Sequence, residues 1–388
     1  MSFLNIPVLV RGRTIWDKVQ FPNKEFENRH DGVRKLIEQN NLDGLLIYSN
    51  SLRNGPICYL TNYHCFITFA DALYVFPKEG TPVLLASQPT RDVQRIKSFI
   101  VDSIDFEAVG LSLVSNHHLA EKVAAYLTDK GLAKKRWGGV NLGDLTYLAA
   151  GPLQKVVGEI QDYTGVYDQL RVRKSKRELS VMNQAAQMAK RAALEIIRGA
   201  KPDVTEYAIT AEVDRQLRYE GVEEVNILIA ADDNPEYLRF PSQRAFEEGD
   251  TIHVYVAIKY LRYWGAFGTT AVIGQPSNEQ VKLYQDMQDL YEKVINDINQ
   301  AKEIDREWFN KQKLNKELIS PFSSIKFIGQ DLDENMEGQK LIADMTLNLT
   351  LGLKQEECSV FMSESFVVQE NGSLFPLSGI RQDELIIA

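Results

Sequence analysis

Cysteine is scarce: Cys58, Cys65 and Cys358 are all there are in 388 residues. Three so scattered exclude a disulfide framework or a zinc motif, and they fit a reducing compartment, so a cytoplasmic location is expected. Positive charge is short as well. The 44 Lys and Arg stand against 53 Asp and Glu, a formal charge of -9, which excludes nucleic acid and an anionic membrane surface as partners. No stretch reaches about 18 apolar residues without a charge, so no membrane-spanning helix is expected. The start, MSFLNIPVLVRGRTIW, has a short apolar run but neither a basic segment before it nor a small-residue cleavage site, which argues against a signal peptide. A Gly-rich phosphate loop, a Gly-x-Ser-x-Gly elbow, a Cys–His pair, internal repeats and low-complexity segments are all missing, and no cofactor is expected.

What is present reads as two domains, 1–168 and 169–388, because single cores seldom grow past roughly 250–300 residues. The first alternates helix and strand. VRKLIEQNNLDGLLIYSN runs from helix to strand, ADALYVFPKEGTPVLLAS gives two strands around a turn, and HHLAEKVAAYLTDKGL is an amphipathic helix closed by Gly131. GPLQKVVGEIQDYTGV is read as a further helix. The second domain groups its helices early and its strands late, an α+β order. Ser175 and Glu178 have capping-box spacing before an Ala-rich helix, and Thr205 caps the next one. In GDTIHVYVAIKYLRYWGAFGTTAVIG, Val254, Val256 and Ile258 alternate with His253, Tyr255 and Ala257, predicting a hairpin turned around Lys259–Arg262 with one apolar face and one mixed face. After Asp250 this stretch carries no carboxylate.

The order of pieces resembles the creatinase, aminopeptidase P and prolidase family. LRVRKSKRELSVMNQAAQMAKRAAL is similar to the helix that opens that family's C-terminal domain; KPDVTEYAITAEVDRQLRYEGVE, FEEGDTIHVYVAIKY and FVVQENGSLFPLS follow at matching spacing, and YLTNYHCFITFADALYVFPKEGTPVLL looks like its smaller domain. The resemblance covers nearly the whole chain. It implies a smaller α/β N-terminal domain and a pita-bread C-terminal domain, a curved antiparallel sheet backed by helices with a central pocket. It also implies a homodimer in which residues near Arg53, Tyr63 and His64 reach the partner's pocket.

The family's peptidases hold two metal ions with two Asp, one His and two Glu. Carried over by position, these fall on Tyr255, Ala266, Lys326, Thr350 and Ser363. None of the five is a good metal ligand, so no metal is expected. Creatinase itself works without metal and has Ala at the second Asp position, but its His base falls on Leu238 and its Glu on Gly268. Asp333 falls on a second family His, within a cluster with Asp331 and Glu334.

Strand parity assembles a neutral pocket in place of that centre. Lys326 and Tyr255 are assigned as acid–base or anchoring groups. His253, Trp264, Asn348, Thr350, Ser363, Tyr237 and Arg239 are assigned as substrate-binding groups. The ordinary alternative is a sheet with one wetter face, a structural His253 and a solvated Lys326. Three functions follow. The first is a metal-independent enzyme cleaving, eliminating or cyclising at a C–N bond of a small polar metabolite. The second is a pseudoenzyme that binds a small ligand after losing its chemistry. The third, ranked last, is a metal-dependent Xaa-Pro peptidase.

Overall fold

Three helices of the C-terminal half start where side chains satisfy the first free backbone N–H groups, at Ser175, Thr205 and Ser277. In a computed structural model describing residues 15–65, 71–110, 117–232, 238–301, 304, 308, 323–334, 340–355, 358–379 and 385–388, the Ser175 hydroxyl accepts from the Glu178 N–H and the Glu178 carboxylate accepts from the Ser175 N–H. That reciprocal cap begins the helix Lys176–Gly199. The chain divides into two compact units, 1–171 and 172–388.

In the first unit the helices are α1 (Asn23–Gln39), α2 (Gly55–Thr61), α3 (Val93–Lys97), α4 (His117–Asp129), α5 (Tyr147–Val157) and α6 (Thr164–Val172). The strands are β1 (Gly44–Ser49), β2 (Ala72–Pro77), β3 (Val83–Ala86), β4 (Asp105–Ala108), β5 (Trp137–Val140) and β6 (Gln161–Asp162). They form one sheet ordered β4-β3-β2-β1-β5-β6. The sheet is mixed: β2 runs antiparallel to both β1 and β3, while β5 is parallel to β1. The single helix expected over GPLQKVVGEIQDYTGV is broken. Gly158 takes φ +78 after α5, a conformation that ends a helix, and Gln161–Asp162 pairs with β5 instead.

His30 of α1 is a titratable group that this packing shifts across the acid range. It is 3% exposed, and its Nε2 lies 2.9 Å from the Leu60 carbonyl oxygen. Burial outweighs that hydrogen bond and lowers its pKa from 6.5 to about 4. The unfolded chain therefore takes up this proton first as the solution is acidified. Stability from this group is complete above about pH 6.5 and falls as the pH drops toward 4, by up to about 3 kcal/mol. Denaturant midpoints measured between pH 7 and pH 4 should show that loss, and His30→Gln should flatten it.

The second unit contains α7 (Lys176–Gly199), α8 (Glu206–Tyr219) and α9 (Asn278–Gln300), with β7 (Glu224–Asp232), β8 (Thr251–Tyr260), β9 (Tyr263–Val272), β10 (Ser324–Phe327), β11 (Thr346–Gln355), β12 (Cys358–Val368), β13 (Leu374–Pro376) and β14 (Ile386–Ile387). Its sheet runs β10-β11-β12-β9-β8-β7, with β13 on β12 and β14 on β9. Val254, Val256 and Ile258 pack with Ala185, Ala189 and Ile196 of α7, while Leu347, Leu349 and Met362 pack with Met287 and Val294 of α9. One face of the sheet is thus a helix-backed core, and period-2 alternation turns the other side chains onto the opposite face. The expected hairpin is there, closed by Leu261 and Arg262 at φ +43 and +78.

Candidate functional site

The positions that the sequence comparison singled out lie side by side. Register places Tyr255 opposite Gly268, Gly268 opposite Ser363, Ser363 opposite Thr350 and Thr350 opposite Ser324. The neighbouring row runs from Ala257 to Ala266, then through Ser365 and Asn348 to Lys326. The Ser365 hydroxyl ties Ala266 into that row, accepting from its N–H at 3.0 Å and donating to its carbonyl at 2.9 Å. All five family ligand positions therefore sit in two adjacent rows on the face away from the helices.

Their side chains bond to each other. The oxygens of Asn348, Thr350 and Ser363 form a triangle with sides of 2.8 to 3.1 Å, and Ser363 is completely buried. Burying hydroxyls without partners is costly, so a mutually satisfied set is a stable way to fill such a site. Beside it the Phe361 ring leans over Gly268: a Cβ there would meet Phe361 Cε1 at 2.5 Å. Phe361 stacks edge-on against Tyr255, with centroids 6.4 Å apart. Tyr255 is partly buried, and burial raises its phenol above the ordinary value, which keeps it protonated and unsuited to act as a base. Phe361 shares strand parity with Ser359 and Ser363, and that parity was the signal by which sequence reasoning could have found it.

The other assigned residues divide sharply. His253 is fully buried, its two ring nitrogens 2.8 Å from Thr270 Oγ1 and 2.9 Å from Ser359 Oγ; it is a structural bridge between β8, β9 and β12. Trp264 packs with Ala257, Ala266, Tyr255 and Leu332, and the Lys259 ammonium lies 5.6 Å from its ring centre. Lys326 is exposed on the terminal strand β10, not enclosed in a dry pocket. Arg239 pairs with Ile229, a residue of the helix-backed core. Its guanidinium bonds the Glu206 carboxylate of α8, at 2.8 Å for the Nη2–Oε1 contact, so it stands on the opposite face from the ligand rows. Tyr237 lies outside the described residues. Asp333 is exposed, whereas Glu334 is buried 2.7 Å from the Lys174 ammonium. In the first unit Tyr63 and His64 are buried, bonded to Gln88 and Asn54, and Arg53 is exposed beside Asp144.

Sequence profiles and solved structures fit this architecture. The profile of Metallopeptidase family M24 matches residues 180–370, and that of the Creatinase/Prolidase N-terminal domain matches 29–173. The chain belongs to the creatinase, aminopeptidase P and prolidase family. An uncharacterized peptidase, YqhT of Bacillus subtilis (strain 168), is 24% identical over 260 residues, 65% of this chain and 67% of that one. The dipeptidase PepE from Mycobacterium ulcerans superposes with TM-score 0.72 at 18% identity, over 95% of this chain and 99% of that one. A prolidase from Thermococcus sibiricus gives 0.73 at 18%, over 94% and 99%. The X-Pro aminopeptidase from Thermotoga maritima MSB8 gives 0.70 at 16%, over 92% and 99%. These structural likenesses establish the pita-bread fold.

The metal pair of this family's peptidases does not fit the residues present. A phenol, a methyl group, an ammonium and two hydroxyls stand at the ligand positions, and among the described residues no group of three or more His, Cys, Asp and Glu is placed to hold an ion. A metal-independent enzyme acting on a small metabolite is not supported either. The relatives named above do not point to one, Lys326 is exposed among the described residues, and Asn348, Thr350 and Ser363 are bonded to one another.

Proposed function

We propose that this protein is a non-hydrolytic member of the prolidase family, a binding protein that keeps the pita-bread scaffold without its reaction centre. The carrying observation is the closed triangle of Asn348, Thr350 and Ser363 beside the Phe361 ring, which fills the ligand rows with the protein's own neutral side chains. Polar refilling of a vacated centre need not signal catalysis, because buried hydroxyls must find partners in any case. The reading includes a homodimer in the cytoplasm that binds a small peptide-like ligand. Among the described residues, no helix is long and apolar enough to cross a membrane.

The opposing reading is the Xaa-Pro peptidase that the names of the structural neighbours favour. One experiment separates the two. The purified protein is dialysed against manganese, cobalt or zinc, its metal content is measured, and Xaa-Pro dipeptides are offered as substrates. Less than one tightly held ion per chain and no dipeptide cleavage is the expected result. Two ions per chain with turnover would establish the peptidase. Sedimentation velocity should show a dimer; a monomer would remove that part of the reading.

The triangle itself makes a second expectation. Asn348→Ala removes the shared acceptor from two buried hydroxyls and should destabilise the second unit by about 1–3 kcal/mol in denaturant unfolding. Lys326→Ala, at an exposed position, should change stability by less than about 0.5 kcal/mol.

A further inference from the structure

The strand β7 ends the sheet of the second unit, and among the described residues its outer side is only partly covered. At Ile229 the chain pairs with itself: the Ile229 N–H donates to the Arg239 carbonyl at 2.8 Å, and the Arg239 N–H donates back at 3.1 Å. Antiparallel pairing alternates, so residues two apart aim their backbone groups to the same side. Val225 and Ile227 therefore aim N–H and C=O outward beside Ile229, and no backbone hydrogen bond from a described residue outside β7 and β8 reaches either one.

That open edge forms one wall of a groove of about 410 Å³. The other walls are Tyr207, Thr210, Ala211 and Asp214 of α8, with Phe240 and Pro241, where the chain that pairs at Arg239 turns away. Tyr207 and Phe240 are large apolar side chains left 53% and 74% exposed. Natural edge strands are usually blunted by Lys or Pro; residues 225–231, VNILIAA, contain neither. Asp214 is the one charged residue of the lining, and its carboxylate lies 3.4 Å from the Arg218 guanidinium one turn further along α8, so the groove carries little net charge.

We propose that this edge is a docking site for an extended segment of a partner protein, which adds a strand outside Val225–Ile227 in continuation of the Arg239 pairing. Backbone groups supply the hydrogen bonds, and alternate apolar side chains of the segment lie between Tyr207 and Phe240. An uncharged segment complements the uncharged lining. A second copy of this chain is the competing occupant, which the test below distinguishes. The proposal does not depend on whether the family centre hydrolyses anything.

The test uses the full chain and a capped, fluorescein-labelled hexapeptide, Ser-Val-Thr-Ile-Thr-Val, followed by fluorescence anisotropy and by amide hydrogen exchange. The peptide should bind and slow exchange at the Val225 and Ile227 amides, leaving Asn226 and Leu228, which face β8, unchanged. Val225→Pro deletes one outward N–H at a position where an edge strand tolerates proline. Ala211→Arg fills the groove from an exposed helix position. Val225→Pro should weaken binding about fivefold to tenfold, the loss expected for one hydrogen bond, and Ala211→Arg should weaken it at least as much by filling the groove, while its circular dichroism spectrum stays that of the parent. No binding at about 1 mM peptide, the weak end of recognition, overturns the proposal, as does binding that neither variant reduces. Exchange slowed by raising protein concentration alone, without peptide, would assign the edge to a second copy and overturn it equally.

Discussion

Gly265→Ala is expected to destabilise the second unit by about 3 kcal/mol or more, a large fraction of a typical domain's stability. Gly265 lies on the helix-backed face of β9, opposite Ile258. A Cβ built there falls 2.3 Å from the Ala186 nitrogen and 2.5 Å from the Ala185 carbonyl carbon. Both obstacles are helix backbone, which cannot rotate aside as a side chain could. The α7 residues Ala185, Ala186, Ala189, Ala192 and Ala193 are completely buried; their small size lets the helix lie directly on the hairpin that carries Tyr255 and Ala266. Relief requires lifting the whole helix, at the expense of the core it shares with Val254 and Val256. Equilibrium unfolding in urea, followed by far-UV circular dichroism, measures the effect. A loss under about 1 kcal/mol would mean that α7 sits farther from β9 than described.

Glu223→Ala should cost about 3–5 kcal/mol. Glu223 and Arg262 are both almost completely buried, 1% and 2% exposed for their side chains, and Arg262 Nη1 bonds Glu223 Oε1. The second carboxylate oxygen accepts from the Arg262 N–H at 3.1 Å. Burial pushes the Glu223 carboxyl up, and the neighbouring Arg262 opposes that shift. Removing the carboxylate would strand a guanidinium in the interior and release the backbone of a turn in which two non-glycine residues hold positive φ, a conformation glycine or asparagine adopts more readily. Glu223→Gln, which keeps an acceptor for that N–H, should lose less. Equal losses for the two variants would show that the turn needs no help from its backbone hydrogen bond.

The fold was legible because its signals are local and repeated. Period-2 alternation in TIHVYVAIKY, the cap at Ser175 and the spacing of the Gly-Asp hairpin each depend on residues close in sequence, and each corresponds to what the structure contains. The break at Gly158 was missed because an amphipathic pattern continues across it, while only the backbone conformation ends the helix. The candidate site was legible as a set of rows but not as an environment. Parity puts Asn348, Thr350 and Ser363 on one face; it does not reveal that three oxygens approach within 3.1 Å and satisfy each other. Arg239, assigned to the pocket as a substrate-binding group, is turned to the other side of the sheet by its pairing with Ile229. Lys326, assigned as an acid–base or anchoring group, lies exposed on β10 among the described residues.

The contact between Phe361 and Gly268 also bears on descent. A side chain larger than hydrogen cannot enter position 268 until the ring moves, and the ring is held edge-on by Tyr255, itself one of the replaced ligand positions. Placing the creatinase glutamate at 268 would therefore demand changes in a set order: Phe361 must shrink before residue 268 can grow, and an acid at 255 removes the aromatic partner that steadies the ring. The packing works as a steric ratchet, in which one ring closes position 268 to every residue larger than glycine until the ring itself is replaced.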